Sequence, residues 1–271
     1  MKLDKRRALI LAFCITALCS LLLAAPLLTP HEQDIQTTIT KATDYLEETD
    51  EPYALLWLNV MYRRFGIEEF ADALQRYDQQ LAEQQTQWSI LNVFRRIAVY
   101  DNPMQAELLE SVGIPTDSII AYALYCDRFV LPSDYFETLE GAVSGGGYYL
   151  THVLLACIWI QENGCEGALP NGFIDHVYRA TAVIVDRNPM VVDDLTLEAA
   201  AFLYLAGQGE RVNPSFVNRV IASQNSDGGW GEAPDGQGGS YWHSTILALL
   251  LLLHVQNPAD YYPPVLASAS P

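Results

Sequence analysis

A glycine-rich turn followed by a long apolar stretch is the feature that most constrains the fold of this chain. Residues 224–231 read Gln-Asn-Ser-Asp-Gly-Gly-Trp-Gly, and residues 238–245 read Gly-Gly-Ser-Tyr-Trp-His-Ser-Thr. Residues 246–253 are apolar without interruption. A helix that is apolar on all sides is buried, and glycine permits tight turns that bring helices close together. The segment therefore predicts a helix, a tight turn filled by a tryptophan, and a fully buried helix.

A related pattern occurs twice more upstream. Segments that begin at Tyr148, Asp193 and Tyr241 align without gaps, at offsets of 45 and 48 residues. Each has two bulky or acidic residues, then a hydroxyl residue at a shared position, then an apolar helix. The shared hydroxyl residues are Thr151, Thr196 and Ser244. A period of this length fits one pair of helices with two turns in each repeat.

The chain from His31 onward has a helical pattern almost throughout. Apolar residues recur at spacings of three and four, as in residues 53–62, and no run alternates between polar and apolar residues. Breaks that contain proline or glycine separate these stretches, for example at residues 50–52, 113–116 and 213–215. We expect about ten to twelve helices joined by short loops, in one domain that covers residues 31–271.

The segment from Val220 to His254 resembles the glutamine-tryptophan repeat of squalene-hopene cyclases and of protein prenyltransferase β subunits. Both groups are α/α toroids, in which an inner ring of helices is surrounded by an outer ring. The resemblance implies an all-α fold of this kind for residues 31–271. The three aligned apolar helices would belong to the inner ring, and amphipathic stretches such as residues 67–83 to the outer ring.

The N-terminus is typical of a targeting segment. Lys2, Lys5, Arg6 and Arg7 precede residues 8–28, which carry no charge and are long enough to cross a bilayer core of roughly 20 helical residues. The basic cluster favours a cytoplasmic N-terminus. We expect residues 1–30 to form an uncleaved inner-membrane anchor, with the remaining domain in the periplasm or outside the cell. Cleavage as a signal peptide is the alternative.

The net charge of −18 excludes some partners. Nucleic acid would be repelled by this charge, and so would an anionic bilayer surface. Contact with the membrane is therefore expected only through the N-terminal helix.

Three cysteines lie in the part that we expect to be exported. Cys157 and Cys165 are about 12 Å apart along a continuous helix, beyond disulfide reach, unless the helix ends at Asn163-Gly164 and the chain folds back. A bond between Cys126 and Cys165 is the other pairing. Free buried thiols are the third alternative.

The toroid resemblance also predicts where a site would lie, because the inner helices of toroids start around one mouth of a central cavity. Aromatic and polar residues of the aligned segments would gather there, as a ligand pocket requires. The shared hydroxyl residues act there either as ligand groups or as simple N-caps. The ligand-binding candidates are Tyr148, Tyr149, His152, Tyr241, Trp242 and His243.

A zinc site like that of the prenyltransferases is only partly matched. Residues 241–244 resemble the tyrosine-histidine-threonine segment that supplies the family's zinc histidine, with His243 as the match, and Asp193 matches the aspartate ligand. Leu195 stands where the family has its cysteine ligand. We therefore predict neither a metal nor a cofactor, and a different metal site formed by His243, Asp193 and His152 is the alternative.

The acidic motif with which the cyclases protonate an alkene is also incomplete. Its nearest counterpart is residues 191–196, where Val191 replaces the first aspartate and Asp193 would be the proton donor. We interpret Asp193 and Asp194 instead as acidic residues of a first helical turn, where they are favoured electrostatically.

Carboxylates near the mouth suggest one further chemistry. Asp193, Asp194 and Glu198 could form a carboxylate pair for sugar hydrolysis, with Tyr148, Tyr149 and Trp242 as sugar platforms. The sequence therefore predicts a membrane-anchored module that binds an apolar or glycan ligand, or a protein partner. The alternative is a toroid-class enzyme, cyclase-like or glycan-active, that uses these three carboxylates.

Overall fold

Helices make up nearly all the regular structure of the protein in this computed structural model. The structure describes residues 30–83, 90–187, 189–233, 238–259 and 261–268, with side chains from residue 34 onward. Within these residues the α-helices are α1 Pro30–Glu47, α2 Pro52–Phe65, α3 Ala73–Glu83, α4 Ile90–Phe94, α5 Ala106–Glu110, α6 Pro115–Leu124, α7 Tyr135–Gly145, α8 Gly147–Glu162, α9 Phe173–Arg187, α10 Asp194–Leu205, α11 Pro214–Ala222 and α12 Trp242–Gln256. The described ranges contain no strand, only an isolated bridge between Trp230 and Tyr241. The all-α class predicted from the sequence is confirmed.

Several helix starts follow directly from local sequence. Pro52, Pro115 and Pro214 each open a helix, where the missing N–H of proline has no effect on the helical hydrogen bonds. Asp193 is the N-cap of α10, and its side chain exchanges hydrogen bonds with Thr196 in a capping box.

Six helices pack in an order that returns to its start. α2 contacts α4, α4 contacts α6, and α6 contacts α8. α8 contacts α10, α10 contacts α12, and α12 packs in turn against α2. α8, α10 and α12 are the three helices of the aligned segments, and α10 lies between the other two. Every residue of α12 from Ser244 to His254 is buried, as its unbroken apolar sequence predicts.

Four of the other helices pack against this set. α3 contacts α2, α5 contacts α4 and α6, α7 contacts α8, and α9 contacts both α8 and α10. The amphipathic stretch predicted for residues 67–83 is interrupted: a 3₁₀ turn, Glu68–Phe70, precedes α3.

The C-terminal segment, residues 261–268, covers the C-terminal ends of α2 and α8. Arg63 donates a hydrogen bond to the carbonyl of Val265 at 2.7 Å. The carboxylate of Glu162 accepts the backbone N–H groups of Val265 at 2.7 Å and Leu266 at 2.9 Å. Because Val265 and Leu266 are buried, this segment closes one end of the helical assembly.

The glycine-rich turn joins α1, α11 and α12. The indole N–H of Trp230 donates to the carbonyl of Val220 in α11 at 2.8 Å, and the ring is buried. The amide of Gln224 donates to the carbonyl of Thr38 in α1 at 2.8 Å. The tryptophan therefore fills the gap between helices, as the sequence predicts.

A disulfide connects Cys126 and Cys165, with Cα atoms 6.3 Å apart. It links the loop after α6 to the loop after α8. Of the alternatives left open by the sequence, this pairing is the one that forms, and Cys157 is a free, buried thiol.

The chain divides into two units, Met1–Asp34 and Ile35–Pro271. The anchor predicted for residues 1–30 lies almost wholly outside the described residues, which begin at residue 30. Among the helices that the structure describes, none has the length and apolar character needed to cross a membrane.

Candidate functional site

A cavity of about 210 Å³ lies between the six mutually packed helices. Most of its wall is apolar, and the ionisable lining residues Asp117, His152, Glu198 and His243 come from the first two turns of the helices that surround it. The lining residues are Tyr53, Leu56, Trp57, Phe94, Ile97, Ile114, Asp117, Ile120, His152, Leu155, Trp159, Glu198, Phe202, Trp242 and His243. The N-terminal ends of α2, α6, α8, α10 and α12 therefore meet at the polar end of this cavity.

Glu198 is the most buried charged group of the site, with 1% of its surface exposed. Thr151 of α8 donates a hydrogen bond to its Oε1 atom. His152 Nδ1 lies 3.4 Å from the same oxygen, and also 2.8 Å from the carbonyl of Tyr148. The other oxygen, Oε2, lies 3.6 Å from His243 Nε2, which is longer than a hydrogen bond. Glu198 is thus held from α8 and faces an imidazole of α12.

Asp194 is held mainly by residues of α12. His243 Nδ1 lies 2.9 and 3.0 Å from its two carboxylate oxygens, and Ser244 donates to it at 2.6 Å. The hydroxyl of Tyr148, on α8, donates at 3.0 Å. Because a carboxylate only accepts hydrogen bonds, Nδ1 of His243 carries the proton. Its Nε2 atom is then directed toward Glu198.

The surroundings shift the pKa values of these groups in opposite directions. Burial acts to raise the pKa of Asp194, but hydrogen bonds from His243, Ser244 and Tyr148 outweigh it and lower the pKa. Burial acts to lower the pKa of His152, but Glu198, the carbonyl of Tyr148 and Asp117 together outweigh this and raise the pKa. Burial raises the pKa of Asp117, although the neighbouring His152 reduces this effect. Perturbed pKa values of this kind cluster at functional sites.

Aromatic rings form much of the cavity wall. Trp57 and Phe202 are stacked with ring centroids 5.9 Å apart, and the rings of Trp242 and His243 meet edge to face at 5.3 Å. A wall of apolar and aromatic groups with a few converging polar groups is the usual composition of a ligand pocket.

The structure separates the predicted site residues into three groups. Trp242, His243, His152 and Glu198 line the cavity. Tyr148 does not line it but contacts Asp194. The remaining candidates, Tyr149, Tyr241 and Asp193, lie elsewhere.

Each of these three residues has a different role in the fold. Tyr241 is the N-cap of α12 and forms an isolated antiparallel β-bridge with Trp230. Asp193 caps α10 through Thr196, so it is Asp194 and not Asp193 that faces His243. Tyr149 lines a separate surface groove of about 550 Å³ between α6 and α7.

The shared hydroxyl residues are not N-caps. The N-cap positions of α8, α10 and α12 are Gly146, Asp193 and Tyr241. Instead, each hydroxyl donates to a carboxylate. Thr151 donates to Glu198, Thr196 to Asp193 at 2.8 Å, and Ser244 to Asp194 at 2.6 Å.

Sequence reasoning missed several residues of the cavity, most importantly Asp117. It is the third residue of α6, near the helix start, and Asp194 and Glu198 are the first and fifth residues of α10. The break at residues 113–116 marks that helix start, so the signal was present in the sequence. The aromatic residues Trp57, Trp159 and Phe202 were also missed, because helical periodicity does not distinguish a cavity wall from a packed core.

Three side chains of the site could hold a metal ion. Asp194, Glu198 and His243 each offer one ligand atom, and these atoms lie within 4.8 Å of one another. The zinc-thiolate chemistry of the prenyltransferases does not fit, because Asp193 caps α10 and no cysteine is among the residues that line the described cavity. An oxygen-rich set with one imidazole suits a divalent cation of intermediate hardness.

No protein-family model, curated protein or solved structure matches the chain. The resemblance to the toroid families is therefore carried by the residues of the glutamine-tryptophan segment alone.

Proposed function

We propose that residues 35–271 form an α/α toroid and that its central cavity binds a small, mainly apolar ligand with one polar group. The closed packing order of α2, α4, α6, α8, α10 and α12 supports the ring. The meeting of five helix N-termini at one end of the cavity supports a shared mouth.

The observation that carries the binding proposal is the position of Glu198. Its carboxyl group is almost fully buried, yet it lines a cavity whose other walls are aromatic and aliphatic. Burying an ionisable group is unfavourable unless its oxygens find partners. Thr151 and His152 contact Oε1, whereas Oε2 faces His243 Nε2 at 3.6 Å, beyond hydrogen-bond range. A ligand whose polar group meets Glu198 accounts for its presence.

The predicted location also enters here as a proposal. We infer that the domain is exported and tethered by the N-terminal segment, because the bond between Cys126 and Cys165 suits an oxidising compartment. Thiol alkylation of intact cells, followed by mapping of these two cysteines, tests this. Cys126 and Cys165 that resist alkylation until a reductant is added support export, because they are joined in a disulfide. Alkylation of both residues without a reductant contradicts it.

Native mass spectrometry of the full chain, purified from its host in detergent, tests the binding proposal. The variant Leu155→Trp places a large side chain in the cavity wall, and Thr138→Trp places the same side chain in the separate surface groove. Circular dichroism establishes that both variants are folded.

We expect a bound small molecule with the wild type and with Thr138→Trp, and its loss with Leu155→Trp. A bound mass that persists in Leu155→Trp would place the ligand outside the cavity and contradict the proposal. The mass of the released molecule would identify its chemical class, whether apolar or glycan.

A second candidate function is catalysis at a divalent cation held by His243 Nε2 and Glu198, with Asp194 orienting the imidazole. The specific observation in its favour is that His243 binds Asp194 through Nδ1 while Nε2 lies 3.6 Å from Glu198. A histidine that is fixed by a carboxylate on one nitrogen and free on the other is the usual arrangement of a metal-binding imidazole. The toroid-class enzyme considered from the sequence was cyclase-like or glycan-active and used Asp193, Asp194 and Glu198 without a metal, and the present candidate shares two of these carboxylates with it.

Zinc titration of chelator-treated protein distinguishes the two candidates. A metal centre predicts one equivalent of tightly bound zinc, lost in His243→Gln but kept in Asp193→Asn, since Asn also caps a helix. If the wild type binds no more zinc than His243→Gln does, the metal candidate fails.

A further inference from the structure

The charge balance at the polar end of the cavity indicates the sign of the ligand. Asp117 and Glu198 line the cavity, and Asp194 lies directly behind His243. The basic groups among the described lining residues are only the two imidazoles, His152 and His243, with no lysine or arginine. Three carboxyl groups and two imidazoles therefore meet at this end, so acidic side chains outnumber basic ones.

Two arginines at the opposite, closed end of the helical assembly are engaged with other partners. Arg63 donates to the carbonyls of Ile97 and Val265, and Arg96 pairs with Asp127 at 2.6 Å. Among the residues that the structure describes, no lysine or arginine therefore lines the polar end of the cavity. An excess of carboxyl groups over basic groups in a partly enclosed cavity favours a bound cation.

The cavity wall fits the body of such a cation. Six of its lining side chains are aromatic: Tyr53, Trp57, Phe94, Trp159, Phe202 and Trp242. Aromatic faces attract ammonium groups through their quadrupoles, and cages of such rings recognise quaternary ammonium ligands. A cavity of about 150 Å³ holds a benzene molecule, so the volume of about 210 Å³ has room for one ring and a small charged group.

We propose that the cavity binds an organic ammonium ion, with its apolar body between Trp57, Phe202 and Trp242 and its positive group against Asp117 and Glu198. This inference rests on the proposed binding function and adds the charge of the ligand to it. A metal ion at the Asp194 cluster is a separate proposal, so the test uses chelator-treated protein.

A matched pair of probes tests the charge alone. Benzyltrimethylammonium and 2,2-dimethylpropylbenzene have the same shape, and they differ by a nitrogen cation in place of a neutral carbon. Saturation-transfer NMR with the full chain in detergent gives the dissociation constant of each probe, corrected for partition into empty micelles. We expect the cation to bind at least ten times more tightly than its neutral isostere.

Variants of single carboxylates locate the effect. Asp117→Asn should reduce the preference for the cation at least threefold and leave the affinity for the neutral probe unchanged. Asp134→Asn, in the surface groove, should change neither value. Asp117 is used first because Glu198 is tied into the hydrogen bonds of α8 and its replacement could impair folding.

The outcomes separate this inference from the function on which it rests. If both probes bind with equal affinity, or the neutral probe binds more tightly, the ammonium proposal is wrong while the cavity remains a binding site. If neither probe binds, both proposals fail. An unchanged preference in Asp117→Asn together with loss of preference in Asp134→Asn would place the cation in the groove and overturn the inference.

Discussion

The hydroxyl of Thr151 donates a hydrogen bond to the carboxylate of Glu198, which lies 47 residues further along the chain. The two residues belong to consecutive repeats of the aligned pattern, so the repeat that defines the fold also assembles the site. Ser244, the equivalent of Thr151 in the last repeat, holds Asp194 in the same way. The carboxylates of α10 are thus fixed by hydroxyls from the helices on either side.

Replacing Thr151 with valine tests this arrangement. The variant keeps the shape of the side chain but leaves a buried carboxylate without its donor, so we expect a loss of about 1–3 kcal/mol in the free energy of unfolding. The matched control is Thr181→Val. Thr181 is equally buried and its hydroxyl has no hydrogen-bond partner in the described structure, so its replacement should be neutral or stabilising. Urea denaturation of both variants gives the comparison, and equal losses would contradict the role of Thr151.

The glycine turn provides a second test, in which strain and steric conflict can be separated. A Cβ atom at Gly228 would lie 2.4 Å from the backbone oxygen of Lys41, and the backbone φ is +96°. Gly238 also has a positive φ, of +74°, but its Cβ would meet no atom within 4 Å. We expect Gly238→Ala to lose about 1–3 kcal/mol from backbone strain, and Gly228→Ala to lose a further 1–3 kcal/mol because the backbone must shift. Thermal unfolding of the two variants would show no difference if the close approach of α1 were not present.

The disulfide should stabilise the fold measurably. Cys126 and Cys165 are separated by 39 residues, and closing a loop of this length in the unfolded state contributes about 2–4 kcal/mol. The double variant Cys126→Ser/Cys165→Ser should lose this amount in urea denaturation. Dithiothreitol should destabilise the wild type equally and leave the double variant unchanged. A reductant effect of the same size in both proteins would show that this bond is not its source.

His254 should make the fold sensitive to acid. Burial lowers its pKa to about 3, so the folded protein keeps this imidazole neutral while the unfolded chain binds a proton below pH 6.5 or so. The part of the free energy of unfolding that depends on His254 is therefore fully present above that pH. It falls by up to about 1.4 kcal/mol for each pH unit below it. His152 behaves in the opposite way, because its pKa is raised in the folded protein. Its contribution to the free energy of unfolding is present below its pKa in the unfolded chain, and it is lost as the pH rises through its pKa in the folded protein.

The variant His254→Leu should flatten this part of the pH profile. Urea denaturation between pH 5 and 6.5 would show a slope smaller by about one proton than that of the wild type. The range lies above the usual pKa values of carboxyl groups and below the range in which His152 acts. Parallel profiles for the two proteins would show that His254 titrates normally in the folded state.

Much of the fold was predictable because it depends on local patterns. The starts of α2, α6 and α11 follow from Pro52, Pro115 and Pro214, and the buried character of α12 follows from its composition. The relation of α8, α10 and α12 as neighbours follows from the repeat. These features need only the residues of one segment, or a comparison of two segments.

The site was predicted less completely because its geometry is set between helices. Asp193 and Asp194 are adjacent in sequence, but Asp193 caps α10 whereas Asp194, the first residue of the helix, contacts His243. A shift of the helix start by one residue would exchange these roles. Thr151 has the residue type of an N-cap, and its actual partner is 47 residues away. Tyr149 follows Tyr148 directly and lies in a different pocket. Such distinctions depend on rotation about a helix axis, which composition does not define.

The most direct test of the central claim is a titration of the full chain with benzyltrimethylammonium, followed by saturation-transfer NMR, in the wild type, Leu155→Trp and Thr138→Trp. If the cavity around Glu198 is the binding site, the wild type and Thr138→Trp bind the probe with the same dissociation constant, and Leu155→Trp weakens binding at least tenfold. Equal binding by the wild type and Leu155→Trp, with both proteins folded, would contradict a binding site in the cavity.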